Sequence, residues 1–204
     1  MPEASLPKVF SDPHFLSLED CAELIVQAKH VATQVTTVSA QGKSKVKDNI
    51  RRTSKIEMPN LWLEPIERKF QQLMPTLQDY FGAEINRSQP IQMLRYQPGD
   101  FYLVHKDNGN LRTKEVGESV PPYIANRKLT AVLFLNGQDD SRDHESFAGG
   151  ELILHSKTSL HDQINSLIPI SAMPGSLVAF PSSTLHEVIP VQSGIRYSIV
   201  SWFE

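Results

Sequence analysis

The chain of 204 residues has one cysteine, Cys21. A single thiol excludes an internal disulfide and a cysteine-built zinc site. Cys21 itself reads as a small apolar residue on a helix face. No apolar run approaches the roughly 20 residues needed to cross a bilayer. Positive charge is not in excess either. The formal net charge is -3, which argues against a broad basic surface for nucleic acid. Aromatic and basic residues do not interleave in the way that grips single strands. Residues 1–15 lack a basic segment followed by an apolar stretch, so they do not read as a secretory signal. Internal repeats and low-complexity segments are missing as well. With 40% hydrophobic and 21% charged residues, the composition is that of one globular domain with a core of useful size. The expected setting is the reducing cytoplasm, with neither membrane nor nucleic acid as partner.

The first third carries helical signals. Ser17-Leu-Glu-Asp20 reads as a capping box, and Cys21, Leu24, Ile25, Ala28 and Ala32 recur at helical spacing. A polar stretch from Thr36 to Thr53 reads as an exposed loop. A second helix is expected from Asn60 to about Phe81, with Ile66, Phe70, Leu73, Leu77 and Phe81 as its stripe, Gly82 as its stop and Pro75 kinking or splitting it. After Gly82 the pattern changes to short apolar runs between Gly and Pro turns. Eight strands are expected: 91–96, 101–105, 129–135, 151–155, 167–170, 176–180, 187–191 and 196–203. That pattern suggests a jelly-roll sandwich or barrel with helices packed on one side, an α+β chain that is mainly β. The expected layout is a single domain, 1–204, with a helical support region (1–85) and a barrel core (86–204). Two longer connections, Asn108 to Asn126 and Gly137 to Ala148, are candidate lids.

Phe101 to His105 reads as a strand running into His105-Lys-Asp107. Residues two apart on a strand face the same way, so His105 and Asp107 can meet one metal ion. Imidazole and carboxylate suit Fe(II), and a third ligand would complete one face of an octahedron. By itself such a pair arises easily by chance. His14 and His30 lie in the helical part and read as surface residues. His144 sits in an acidic loop, and His155 and His161 flank a strand end and loop. His186 differs, because it falls between two strands, where barrel mouths are lined. Ten residues later Arg196 opens the strand Arg196-Tyr-Ser-Ile-Val-Ser-Trp202. Counting by two, Arg196, Ser198, Val200 and Trp202 share one face. A charge on an inward face is costly unless paired. Arg196 therefore either meets an internal carboxylate, points to solvent, or clamps a dicarboxylate ligand. Arg51 and Arg52 read as a solvated pair that could also contact an acidic or backbone group.

Six pieces in order now coincide: Arg95-Tyr-Gln-Pro-Gly-Asp-Phe-Tyr-Leu-Val-His-Lys-Asp107, Leu129 to Asn136, Gly149-Gly-Glu-Leu152, Pro174 to Pro181, Leu185-His-Glu-Val188, and Arg196 to Trp202. Together they resemble the prolyl 4-hydroxylase branch of the Fe(II)/2-oxoglutarate oxygenases, over Met93 to Phe203. The resemblance implies a double-stranded β-helix, cupin-like, with His105, Asp107 and His186 as Fe(II) ligands and as the catalytic centre. It implies that Arg196 holds the distal carboxylate of 2-oxoglutarate, that Tyr96 lines the co-substrate pocket, and that Trp202 lies near iron and substrate. Phe134 falls where relatives often carry a second tyrosine, so that hydrogen bond would be missing here. The implied activity is a dioxygenase that hydroxylates a C–H bond of a prolyl residue in a protein or peptide. O2 is consumed and 2-oxoglutarate is converted to succinate and CO2, with ascorbate as a supporting reductant. Asp107 argues against halogenation, for which the carboxylate position must stay open. The alternatives are a same-fold oxygenase acting on a free amino acid or other small molecule, and a non-catalytic metal-binding barrel.

Overall fold

Ser17 does what its position predicts: its side chain accepts a hydrogen bond from the backbone N–H of Asp20 at 3.1 Å. Helix α1 (Leu18–Ala28) follows and buries Cys21, Leu24, Ile25 and Ala28. It stops before Ala32. Helix α2 (Asn60–Phe81) buries Ile66, Phe70, Leu73 and Leu77 and ends at Gly82, whose φ of 65° is the left-handed conformation that glycine adopts without strain. Contrary to the expectation of a break, α2 runs through both Pro65 and Pro75. A proline removes one internal hydrogen bond, and the buried stripe outweighs that loss. Phe70 alone, fully buried, lies 5.2 Å from Phe15 and 6.4 Å from Phe203 between ring centroids. Burying one such ring contributes about 1.5–3 kcal/mol.

The computed structural model describes residues 6–35, 38–40, 43–45, 50–109, 120–138, 146–156 and 166–204. Its strands are β1 (Phe10–Asp12), β2 (Thr33–Val35), β3 (Val38–Ala40), β4 (Lys43–Lys45), β5 (Arg51–Arg52), β6 (Ser54–Ile56), β7 (Gln92–Tyr96) and β8 (Phe101–His105). After the short helix α3 (Pro122–Ala125) come β9 (Leu129–Phe134), β10 (Phe147–Gly149), β11 (Leu152–His155), β12 (Leu167–Ile170), β13 (Leu177–Pro181), β14 (His186–Val188), β15 (Val191–Gly194) and β16 (Arg196–Phe203). They form a seven-stranded sheet, β1-β13-β9-β16-β7-β6-β2, and a five-stranded sheet, β12-β11-β14-β8-β5, with small pairs β10-β15 and β3-β4.

Two corrections to the sequence reading follow. The expected strand 187–191 is two strands, β14 and β15, and β10 was not foreseen. The stretch 36–53, expected as loop, contains β3, β4 and β5, and the N-terminal region adds β1, β2 and β6 to the large sheet. These strands are two or three residues long, too short for a period-2 pattern to emerge. Most of the two candidate lids, 110–119 and 139–145, lies outside the described residues, as do His144 and His161.

Alternation along the central strands builds two cores. Ala131 and Leu133 of β9 and Tyr197, Ile199 and Phe203 of β16 join the cluster that includes the α1 and α2 stripes. Val132, Phe134, Val200 and Trp202 face the other way and pack with Leu152, Leu154 and Val188 of the smaller sheet. Helices thus cover one face of the large sheet, and its other face closes on the small sheet. The site lies in that second interior.

Candidate metal centre

Strands β8 and β14 pair antiparallel with His105 opposite His186, so the two rings rise side by side, 4.1 Å between centroids. Asp107 follows β8, where its backbone N–H donates to the Ser182 carbonyl at 2.9 Å. Ligand-type atoms of His105, Asp107 and His186 all lie within 4.8 Å of one another. His105 Nε2 is 3.5 Å from Asp107 Oδ1, and His186 Nε2 is 3.4 Å from Asp107 Oδ2. All three residues are buried.

Neighbours aim these groups. Nδ1 of His105 sits 2.9 Å from the Leu103 carbonyl, and Nδ1 of His186 sits 2.9 Å from the Thr184 carbonyl. A carbonyl can only accept, so each Nδ1 carries the hydrogen and each Nε2 is left to bind. Thr130 donates its hydroxyl to Asp107 Oδ2 at 2.8 Å and contacts Ser182 Oγ at 2.9 Å. Burial, and secondarily His186, push His105 down to about 4, so its ring is neutral. Burial would raise Asp107, but the two imidazoles hold it well below the usual carboxylate range. His186 is pressed down by burial and lifted further by the Asp107 carboxylate, ending above its ordinary value. One carboxylate with two imidazoles aimed at it is the donor set for a divalent ion with open positions.

Arg196 opens β16 on the same interior and is 2% exposed. Its Nη1 donates to Ser198 Oγ at 3.0 Å. Its guanidinium carbon lies 5.0 Å from the Tyr96 ring centroid and 5.4 Å from that of Phe134. Among the described residues no carboxylate pairs with it, and its Nε has no hydrogen-bond partner. Burial lowers its pKa from the arginine value. An orphaned guanidinium of this kind fits a small dicarboxylate. Gly150 makes room for it: at φ 67°, a Cβ there would lie 2.8 Å from Val191 Cγ2 and 3.3 Å from Arg196 Cδ.

The structure brings all six expected residues to this interior. Tyr96 stands beside Arg196 through the β7–β16 register, and Trp202 stands opposite Thr130. Three others join them, of which Tyr102 and Arg127 were not foreseen. Tyr102 stacks on His105 at 3.5 Å with 17° between planes. Arg127 lies 3.6 Å over Trp202 and donates from Nη1 to the Asp107 carbonyl at 3.4 Å. Arg51, on β5, lies 4.6 Å over Tyr102. Arg51 was read with Arg52 as a solvated pair that could also contact an acidic or backbone group, and Arg127 carried no signal; their aromatic partners come only with strand pairing. A period-two count puts Tyr102 on the face opposite His105, but the irregularity in the β8–β14 pairing brings both into the same interior, and no local pattern signals it. His155 ends β11, at the strand end expected, and is not one of the triad; it is buried, with Nε2 3.0 Å from Glu187 Oε1.

Residues 91–204 match a family model described as the 2OG-Fe(II) oxygenase superfamily. A PKHD-type hydroxylase of Shewanella baltica (strain OS185) is 36% identical over 110 residues, which is 54% of this chain but 40% of that protein. A PKHD-type hydroxylase of Klebsiella pneumoniae (strain MGH 78578) is 26% identical over 196 residues, 94% of this chain and 76% of its own. The chain therefore spans about two fifths of the length of the Shewanella relatives it matches. Among solved structures, a Pseudomonas putida prolyl-4-hydroxylase superposes with TM-score 0.65 at 18% identity, covering 97% of this chain and 92% of that one. A Trichoplax adhaerens prolyl hydroxylase, in complex with a hypoxia inducible factor peptide fragment, gives 0.68 at 20% identity, covering 96% and 82%. These likenesses show the fold, a double-stranded β-helix.

Proposed function

Because the chain belongs to the 2OG-Fe(II) oxygenase superfamily, we propose that it hydroxylates a C–H bond of a prolyl residue in a protein or peptide. Fe(II) and 2-oxoglutarate, when bound, supply the oxidising chemistry with O2, and 2-oxoglutarate leaves as succinate and CO2. His105, Asp107 and His186 hold the iron. Each ring, its Nδ1 held by a carbonyl, offers Nε2, and Thr130 keeps the carboxylate oriented. Arg196 takes the distal carboxylate of 2-oxoglutarate, and its free Nε and remaining terminal N–H groups supply the fork. Tyr96 and Phe134 wall that pocket. Phe134 donates no hydrogen bond, so Arg196 carries most of the recognition.

The observation that carries this reading is Arg196, buried and without a carboxylate in the same interior as the triad. A purely structural barrel would gain nothing from it. Prolyl substrate is supported by the names of the relatives.

The test is an anaerobic titration with Fe(II) and then 2-oxoglutarate, watching for the visible charge-transfer band of the chelate. The band is expected in the unmodified protein and not in His105→Ala, after which proline-containing peptides are assayed for hydroxylation. A folded, iron-loaded protein that gives no band would sink the oxygenase reading and leave a non-catalytic barrel.

A further inference from the structure

The chain is net negative, yet the groups around its metal centre are cationic. Arg51 stands beside His105, its guanidinium 4.6 Å over the Tyr102 ring that itself stacks on the imidazole at 3.5 Å. Arg127 stands beside Asp107, its guanidinium 3.6 Å over Trp202. Each guanidinium lies over an aromatic ring, an attraction that holds it in place and leaves its N–H groups to bind.

Several of those donors have nothing to bind. Arg51 Nε and Trp202 Nε1 are buried and unpartnered among the described residues. Arg127 uses Nε on Gln89 at 3.0 Å and Nη1 on the Asp107 carbonyl, which leaves its second terminal nitrogen. Among the described residues, the nearby carboxylates hydrogen-bond to other groups. Asp107 faces the two histidines and Thr130, and Glu204 accepts from Arg87 at 3.0 Å and Gln89 at 3.2 Å. Lys128 donates to the Glu84 carbonyl. Among the described residues, Arg51 and Arg127 thus keep N–H groups for an incoming ligand.

We propose that the substrate segment around the hydroxylated residue is acidic, with Arg51 and Arg127 each receiving a carboxylate, one beside His105 and one beside Asp107. The proposal rests on the oxygenase reading above and specifies its substrate. A main-chain carbonyl would satisfy one N–H, whereas a carboxylate matches the fork of a guanidinium and neutralises it. Two arginines beside one centre, neither in an ion pair among the described residues, favour the second.

Two fluorescein-labelled peptides of equal length with one central proline provide the probe. One has Asp and Glu on both sides of the proline, the other Asn and Gln. Each is titrated anaerobically against the Fe(II)- and 2-oxoglutarate-loaded protein, following anisotropy and the chelate band in the same sample. The acidic peptide is expected to bind at least about tenfold tighter, since a hydrogen bond to a charged group contributes on the order of a tenfold or larger factor. Arg51→Gln or Arg127→Gln should each remove most of that preference. The double variant Arg51→Glu/Arg127→Glu should prefer a lysine-flanked peptide, which a merely misfolded protein would not do. Equal binding of the two peptides to the unmodified protein overturns the proposal, as does an acidic preference that survives in the double variant. If the band is absent while the preference stands, the arginine pair is upheld and the oxygenase reading fails.

Discussion

Arg196 has no carboxylate among its described neighbours, and its Nε no partner, so its value must lie in binding. Replacing it with alanine should leave Fe(II) binding intact and weaken 2-oxoglutarate by about a hundredfold or more, the loss of two charge-assisted hydrogen bonds. Calorimetric titration measures this directly. Arg196→Met should bind no better, yet without co-substrate it should melt later than the unmodified protein. An apolar side chain in a buried charge's place is commonly stabilising by about 1 kcal/mol or more. Thr130 acts one step away from the metal. Thr130→Val removes the hydrogen bond to Asp107 Oδ2 and is expected to weaken Fe(II) by about tenfold, read by competition with a metal chromophore. At this scale the sequence was informative where chemistry is rare. His105, Asp107, His186 and Arg196 stood out as types that core strands avoid. Arg127 did not, and Arg51 read only as half of a solvated pair, because arginine is common on surfaces and only the fold puts Trp202 and Tyr102 beneath them.

Elements hold these groups by register. The β8–β14 pairing sets His105 against His186, and the β7–β16 pairing sets Tyr96 against Arg196. The turn between β10 and β11 has a quieter task. Gly149 and Gly150 both lie at positive φ, and a side chain at Gly150 would press on Val191 and Arg196. Gly150→Ala is therefore expected to lower the melting temperature and to weaken 2-oxoglutarate several-fold while leaving Fe(II) affinity near normal, a split that separate titrations of the two would show. Long strands and helices were legible from period and caps: α2 begins and ends as read, and β16 alternates as counted. The two- and three-residue strands were not. Their pairing is dictated by the neighbours they meet, such as Arg51 opposite Tyr102, rather than by their own sequence.

For the whole molecule, two cores share the central strands, one beneath the helices and one around the site. Occupying the second should stabilise all of it. Fe(II) with 2-oxoglutarate at about a hundred times its dissociation constant would add about 2.7 kcal/mol, several degrees in an anaerobic thermal melt for a chain of this size. The same addition should do little for Arg196→Ala. The overall class, strands following helices, was legible because turn residues punctuate the second half so regularly, whereas closure of the two sheets depends on contacts between distant segments that no local pattern records. Closure also explains how ready the triad is. Both histidines are held by carbonyls two residues back on their own chain, at 2.9 Å, so the socket is shaped before any ion enters. A rigid nitrogen–oxygen socket ranks divalent ions by their intrinsic preference, with nickel and copper ahead of iron. The choice of iron then falls to supply: which ion fills the protein is decided by the free concentrations around it, and trace nickel in a preparation would silence it without unfolding it.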